Sequence, residues 1–420
     1  MLKLVRNIIL GAILLAIALP WTGVIQDAFT GGRYRDYLEE HHQSVDLTVV
    51  GGDLQFDPDF YTNRLFIMGE IHGTQTSQLL DLRLMQHLNE QIGLRYIMAE
   101  MDPTQADRIN AYLDTGNESL IRPVFRAWLA EAAQWGNQQH FEKLQQLYEY
   151  NASLPADRRF HYVGVDQIQR REIALDWFST RLADISPTGA AAALLEALER
   201  EERQDDALPS LFDSALPQLA AEPDPVLAYM AQAIRADFDN PGRYERVLSN
   251  INTMVDVLAI GDDEPVYGFW GLFHSLGVTV NDGARPLVLR LRESDLPFAG
   301  AIANLTQSYA NSSQNMPSHI LPEPIRPDGP FFDALVSQDN PYLSYLDGIG
   351  DLKAVASDQN ATIFRINAPG SPYENGGRLI EQSGLLTHVF RFEIDPFAGF
   401  ATDYAILIRN SPAQTPYEDE

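Results

Sequence analysis

The 420-residue chain contains no cysteine. That excludes disulfides and thiolate ligands, so stability must come from the core and any metal site must use histidine and carboxylate. Lysine is almost as scarce: Lys3, Lys143 and Lys353 are the whole complement. With 30 Lys+Arg against 58 Asp+Glu the formal net charge is -28. Such a chain offers no cationic face to a phosphate backbone, which argues against nucleic acid as a partner. Several catalytic signatures are missing too. There is no Gly-x-Ser-x-Gly, His-Glu-x-x-His, Gly-x-x-x-x-Gly-Lys or Gly-x-Gly-x-x-Gly. Elbow-type serine hydrolases, gluzincins, P-loop enzymes and typical dinucleotide folds are therefore disfavoured.

Long apolar runs are confined to the N-terminus. Lys3 and Arg6 precede an apolar stretch from Ile8 to Leu19, broken by Pro20 and resumed to Ile25. This reads as the charged and hydrophobic regions of an export signal over residues 1–25, or an anchor if it is not cleaved. The positive flank would stay in the cytoplasm, leaving the rest periplasmic or otherwise extracytoplasmic.

What remains is ordinarily globular, 45% hydrophobic and 10% aromatic. Residues 26 to about 60 are polar and turn-rich and read as a lead-in; an α/β domain is expected over 45–420. Within it, short apolar runs alternate with helical patterns. Arg64–Met68, Arg95–Ala99, Phe160–Val165 and Val266–Trp270 read as buried strands. Pro286–Leu291, Phe298–Ala303, Ala361–Ile366, His388–Ile394 and Tyr404–Ile408 are also strand-like. After His72, leucines at 80, 84 and 88 with Ile92 mark a helix that Gly93 ends. This alternation implies a mostly parallel central sheet with right-handed crossovers. Residues 187 to about 262 break it with Ala/Leu/Glu-rich segments, read as a helical insertion that could cap a site. Gln307–Pro330, rich in proline, reads as a long loop, either a functional lid or simply disordered.

Chemistry-bearing residues gather where the strands stop. Gly-x-x-His occurs twice, as Gly69-Glu70-Ile71-His72 and Gly271-Leu272-Phe273-His274, each after a strand-like run. Glu100 and Asp166 end two more. Open α/β sheets bind ligands outside the carboxyl ends of their strands, so these groups are expected to share one crevice. Crowded acids shift each other's pKa values. A neutral imidazole there could take a proton from water, or a divalent metal could be held by Glu70, His72 and His274 and acidify its water. Arg83, on the helix after His72, could reach a carboxylate or substrate.

These segments resemble the superfamily of erythromycin-esterase-like, ChaN-like and TraB/Tiki proteins. Met68-Gly-Glu-Ile-His-Gly-Thr74 resembles their first motif. Arg83 followed by Gly93-Leu-Arg-Tyr-Ile-Met-Ala-Glu100 is similar to the erythromycin-esterase continuation, as are the helix Phe141–Asn151 and the run Phe160–Asp166. Gly271-Leu-Phe-His274 matches the second histidine, and the doubled Gly-x-x-His is the mark of the Tiki branch. The resemblance spans roughly residues 60 to 280. It implies a sheet with helices on both faces. It also implies hydrolysis of an ester or amide in a small molecule or peptide, with His72 as base or metal ligand among Glu70, Arg83, Glu100, Asp166 and His274. Manganese, zinc or cobalt would suit such a site. The other branch implies a non-enzymatic haem- or metal-binding protein of the cell envelope, with haem the less favoured cofactor.

Overall fold

A computed structural model describes residues 21–47, 54–200, 205–240, 242–258, 260, 264–384 and 393–418. Its centre is an eight-stranded sheet. In chain order the strands are β1 (His42–Val45), β2 (Leu65–Glu70), β3 (Tyr96–Ala99), β4 (His161–Gly164), β5 (Val266–Gly271), β6 (Ile302–Ala310), β7 (Ala361–Arg365) and β8 (Tyr404–Arg409). They lie in the order β1-β7-β8-β6-β2-β5-β3-β4. Every pairing from β8 to β4 is parallel, whereas β7 is antiparallel to both β8 and β1. One strand of eight therefore runs against the rest.

Both faces are covered, and residue alternation along the strands decides which side chain goes where. Phe66, Met68 and Ile97 pack with the helices Gln75–Ile92, Pro103–Thr115 and Gln138–Ser153. Leu65, Ile67, Val266 and Trp270 pack with Arg243–Val257 and Leu287–Arg292 on the other face. The helix after His72 ends as its sequence requires, with Gly93 in the left-handed region at φ 73°. The described residues of 187–262 are largely helical, and Leu194, Phe212 and Leu227 form a separate cluster with Leu175 and Phe178 of the preceding helix, Arg171–Asp184. The helices there include Gly189–Leu198, Leu208–Leu219 and Pro225–Phe238.

Four expectations need correction. Pro286–Leu291 is the start of a helix, Leu287–Arg292: its apolar residues Leu287, Val288 and Leu291 share one helical face, a pattern too short to tell from a strand. The strand expected at Phe298–Ala303 starts only at Ile302 and runs on to Ala310, buried throughout. Asn304, Thr306, Gln307 and Ser308 within it disguise it as loop. Gln307–Pro330 is accordingly not one loop, because a hairpin of Ser313–Pro317 with Phe331–Leu335 follows β6. Residues 26–60 are more than a lead-in, since the helices Thr22–Thr30 and Gly32–Glu40 pack on Ile349–Val355 and β1 forms a sheet edge. His388–Ile394 lies mostly outside the described residues, as does the run Ile8–Leu19; no helix among the described residues is long and apolar enough to cross a membrane.

Candidate active site

Strand register places the site. Glu70, the last residue of β2, stands opposite Gly271, the last of β5. The Gly271 N–H donates to Glu100 Oε2 at 2.8 Å, which ties the end of β3 to the same point. A Cβ on Gly271 would sit 3.1 Å from His72 Nε2 and 3.5 Å from His274 Cδ2. Both imidazoles thus border one glycine backbone, and a side chain there would press on the His72 ring. Gly69 answers a similar need, because a Cβ there would run into Ser275 of the turn that carries His274.

The two rings are used differently. His72 Nδ1 donates to Glu70 Oε1, leaving Nε2 directed past Gly271. The Trp135 ring lies against it, centroids 5.0 Å apart. Burial alone would lower the His72 pKa, but the charge and hydrogen bond of Glu70, with Glu100 behind, raise it to about 9. His274 has partners on both nitrogens: Nε2 lies 3.2 Å from Glu100 Oε1 and Nδ1 lies 2.8 Å from the Tyr244 hydroxyl. It is held in place from both sides.

The acids are tied by a cation that sequence reasoning missed. Arg243 donates to Glu100 Oε1 at 2.7 Å and to Asp166 at 3.0 Å and 2.5 Å. It opens the helix Arg243–Val257, and Tyr244 follows it. The expected mutual suppression of ionisation does not occur at Glu100. Burial would raise its pKa, yet His274, His72 and Arg243 hold it well below the usual carboxylate range. Exposure separates anchors from working groups: Glu70, Glu100 and Asp166 are 4%, 5% and 3% exposed, whereas His72 is 27% and Arg243 36%.

A cavity of about 40 Å³ adjoins this cluster, lined by Glu70, His72, Glu100, Trp135, Asp81 and Lys143 among others. That is room for about three waters. At its base Lys143 Nζ donates to Asp81 Oδ2 and the Tyr267 hydroxyl to Asp81 Oδ1, both at 2.6 Å. His140, also lining it, is pushed down to about 3 by burial and by Lys143, and so is neutral.

Of the expected site residues, the structure brings together Glu70, His72, Glu100, Asp166 and His274. Arg83 stays apart. The cavity-facing positions on its helix are Gln78 and Asp81, and position 83 lies about 200° round the helix from Asp81. Glu70, His72 and His274 do not form a ligand set either: no group of three or more such side chains among the described residues could hold a metal ion. Glu70 is engaged in orienting His72, and Arg243 already supplies the positive charge between Glu100 and Asp166. The donors present do not fit a three-ligand divalent site. Arg243 did leave a signal in the sequence. A basic residue at a helix N-terminus, after Asn240-Pro241-Gly242, opposes the helix dipole and calls for an acidic partner elsewhere.

No family model matches the chain and no curated protein matches it in sequence. Solved structures do share its fold. A Bacillus cereus protein is 12% identical with a TM-score of 0.63, covering 91% of this chain and 98% of that one. A succinoglycan biosynthesis protein is 11% identical with a TM-score of 0.63, covering 92% and 99%. A mutant of the erythromycin esterase EreC in its open conformation is 14% identical with a TM-score of 0.54, covering 90% and 100%. Over nearly its whole length, the chain shares its fold with these three solved structures.

Proposed function

We propose that the chain is a hydrolase that adds water across an acyl bond, an ester or amide, with His72 as general base. The observation that carries this reading is the Glu70–His72 pair. A buried carboxylate engages Nδ1, and His72 lines a cavity with room for about three waters. Such a pairing orients an imidazole for proton transfer. Water oxygen bonds to the acyl carbon as its proton passes to Nε2. The same proton then goes to the departing alkoxide or amine as the acyl bond breaks, giving acid and alcohol or amine. Arg243, fixed by two buried acids yet part-exposed, would stabilise the negative charge that develops on the carbonyl oxygen. No step is drawn through a metal, since the donors do not fit one.

Replacing His72 by Asn should cost ~10²–10⁴-fold in turnover on esters or peptides with the fold intact. Unchanged turnover, or a Soret band on haem addition without any turnover by the native chain, would overturn the reading. Loss of activity in chelator, with stoichiometric metal by elemental analysis, would restore a metal-assisted route. The N-terminal run supports export, which fractionation of the full-length chain checks.

A further inference from the structure

A second cavity, of about 370 Å³, lies on the same edge of the sheet and is unlike the first in chemistry. Ile71, Met316, Ile320, Leu321, Phe332 and Leu335 form most of its apolar wall. A cavity of this size and lining suits an uncharged organic group. Two links tie its wall to the loop that carries His72. Ile71 stands in the chain between Glu70 and His72. Met316, on the hairpin, touches the Gln134 amide at 3.9 Å, and that amide donates to the His72 carbonyl at 3.0 Å. The hairpin backbone itself bonds to the His72 loop, from Asn315 N–H to Gly73 O at 2.9 Å. The mouth is apolar as well: Ile320 and Leu335 line the cavity and remain 48% and 47% exposed. Isolated exposed apolar residues need no explanation, but a pair rimming an apolar cavity marks a binding surface.

We propose that this cavity is the acyl subsite: it takes the alkyl chain of the substrate while the ester carbon lies at His72. The proposal rests on the hydrolase reading and narrows it to substrates with an extended apolar group. Apolar contact in such a subsite gains ~fourfold per methylene buried. For 4-nitrophenyl esters, kcat/KM should therefore climb steeply from acetate through butyrate to octanoate and then level off.

The test pairs that series with Ala334→Trp, which fills the cavity from its hairpin wall. The variant should keep the acetate rate, which also shows that it folds, and lose the gain for octanoate. If Ala334→Trp does not fold, Ile320→Gln at the exposed rim should reduce the octanoate preference severalfold with acetate unchanged. A second readout is independent of turnover. Octanol should raise the thermal midpoint of the native chain and of His72→Asn alike, and of Ala334→Trp much less. Octanol stabilisation with no ester turnover would sink the hydrolase reading and leave the cavity as an alkyl site. Turnover that ignores chain length, or octanol effects unchanged by Ala334→Trp, would overturn the subsite.

Discussion

Replacing Glu70 by Gln tests the centre of the site through pH. In the native chain the carboxylate holds His72 at about 9, so at neutral pH only about one ring in a hundred is free to accept a proton. The kcat/KM of the native chain should therefore rise about tenfold per pH unit and level off near pH 9. Gln keeps an acceptor for Nδ1–H but removes the charge. Burial, which lowers the pKa, is then opposed only by Glu100, and the rising limb should move to much lower pH. The plateau should fall too, because the ring becomes a weaker base. Stability supplies the second half of the argument. A histidine whose folded pKa exceeds its unfolded value contributes stability below the unfolded value, near 6.5, and loses it as pH rises through about 9. The contribution is on the order of 3 kcal/mol. Melting curves of the native chain and Glu70→Gln should thus differ most near pH 6 and converge above pH 9. A native limb near 6.5, or a variant whose profile and pH-dependent melting match the native ones, would refute the reasoning.

Three further substitutions bear on the same site. Arg243→Met leaves Glu100 and Asp166 buried without their cation, so chemical denaturation should show a loss of about 3–5 kcal/mol, with turnover abolished. Gly271→Ala puts a methyl group 3.1 Å from His72 Nε2; a ring displaced that way should lose up to about 10²-fold in kcat, with little change in the thermal midpoint. Arg83→Ala should leave kcat/KM within about twofold, since position 83 faces away from the cavity; a large loss in steady-state assays would return that residue to the site.

How much could be read in advance depended on whether a residue's surroundings were local. β2, β3, β4 and β5 were legible because each is a short apolar run buried on both faces, and because the hydrophilic residue at or just beyond its end has no reason to be there except the crevice. β6 was not. Its Asn304 amide donates to Ser275 O and Ala401 O, and its Gln307 side-chain carbonyl accepts from Ser77. Buried polar groups satisfied by such distant partners cost little, but in sequence they are indistinguishable from a loop. The partners of Arg243 were hidden for the same reason, lying 77 and 143 residues away.

Electrostatics nevertheless constrained that missing residue. Three acids and two imidazoles cannot share a crevice in a chain of net charge -28 unless something positive is fixed among them. With no thiolates and only three lysines, the candidates reduce to arginine, histidine or a metal. Arginine suits two carboxylates best, because its planar fork can bond both at once without losing its charge. Once it does, the acids divide their work. Glu100 and Asp166 hold the cation and Glu70 holds the imidazole, so the two groups left facing solvent, His72 and Arg243, are a base and a cation. Addition of water to an acyl carbon uses two such groups, a base to take the proton of the attacking water and a cation near the carbonyl oxygen where negative charge develops.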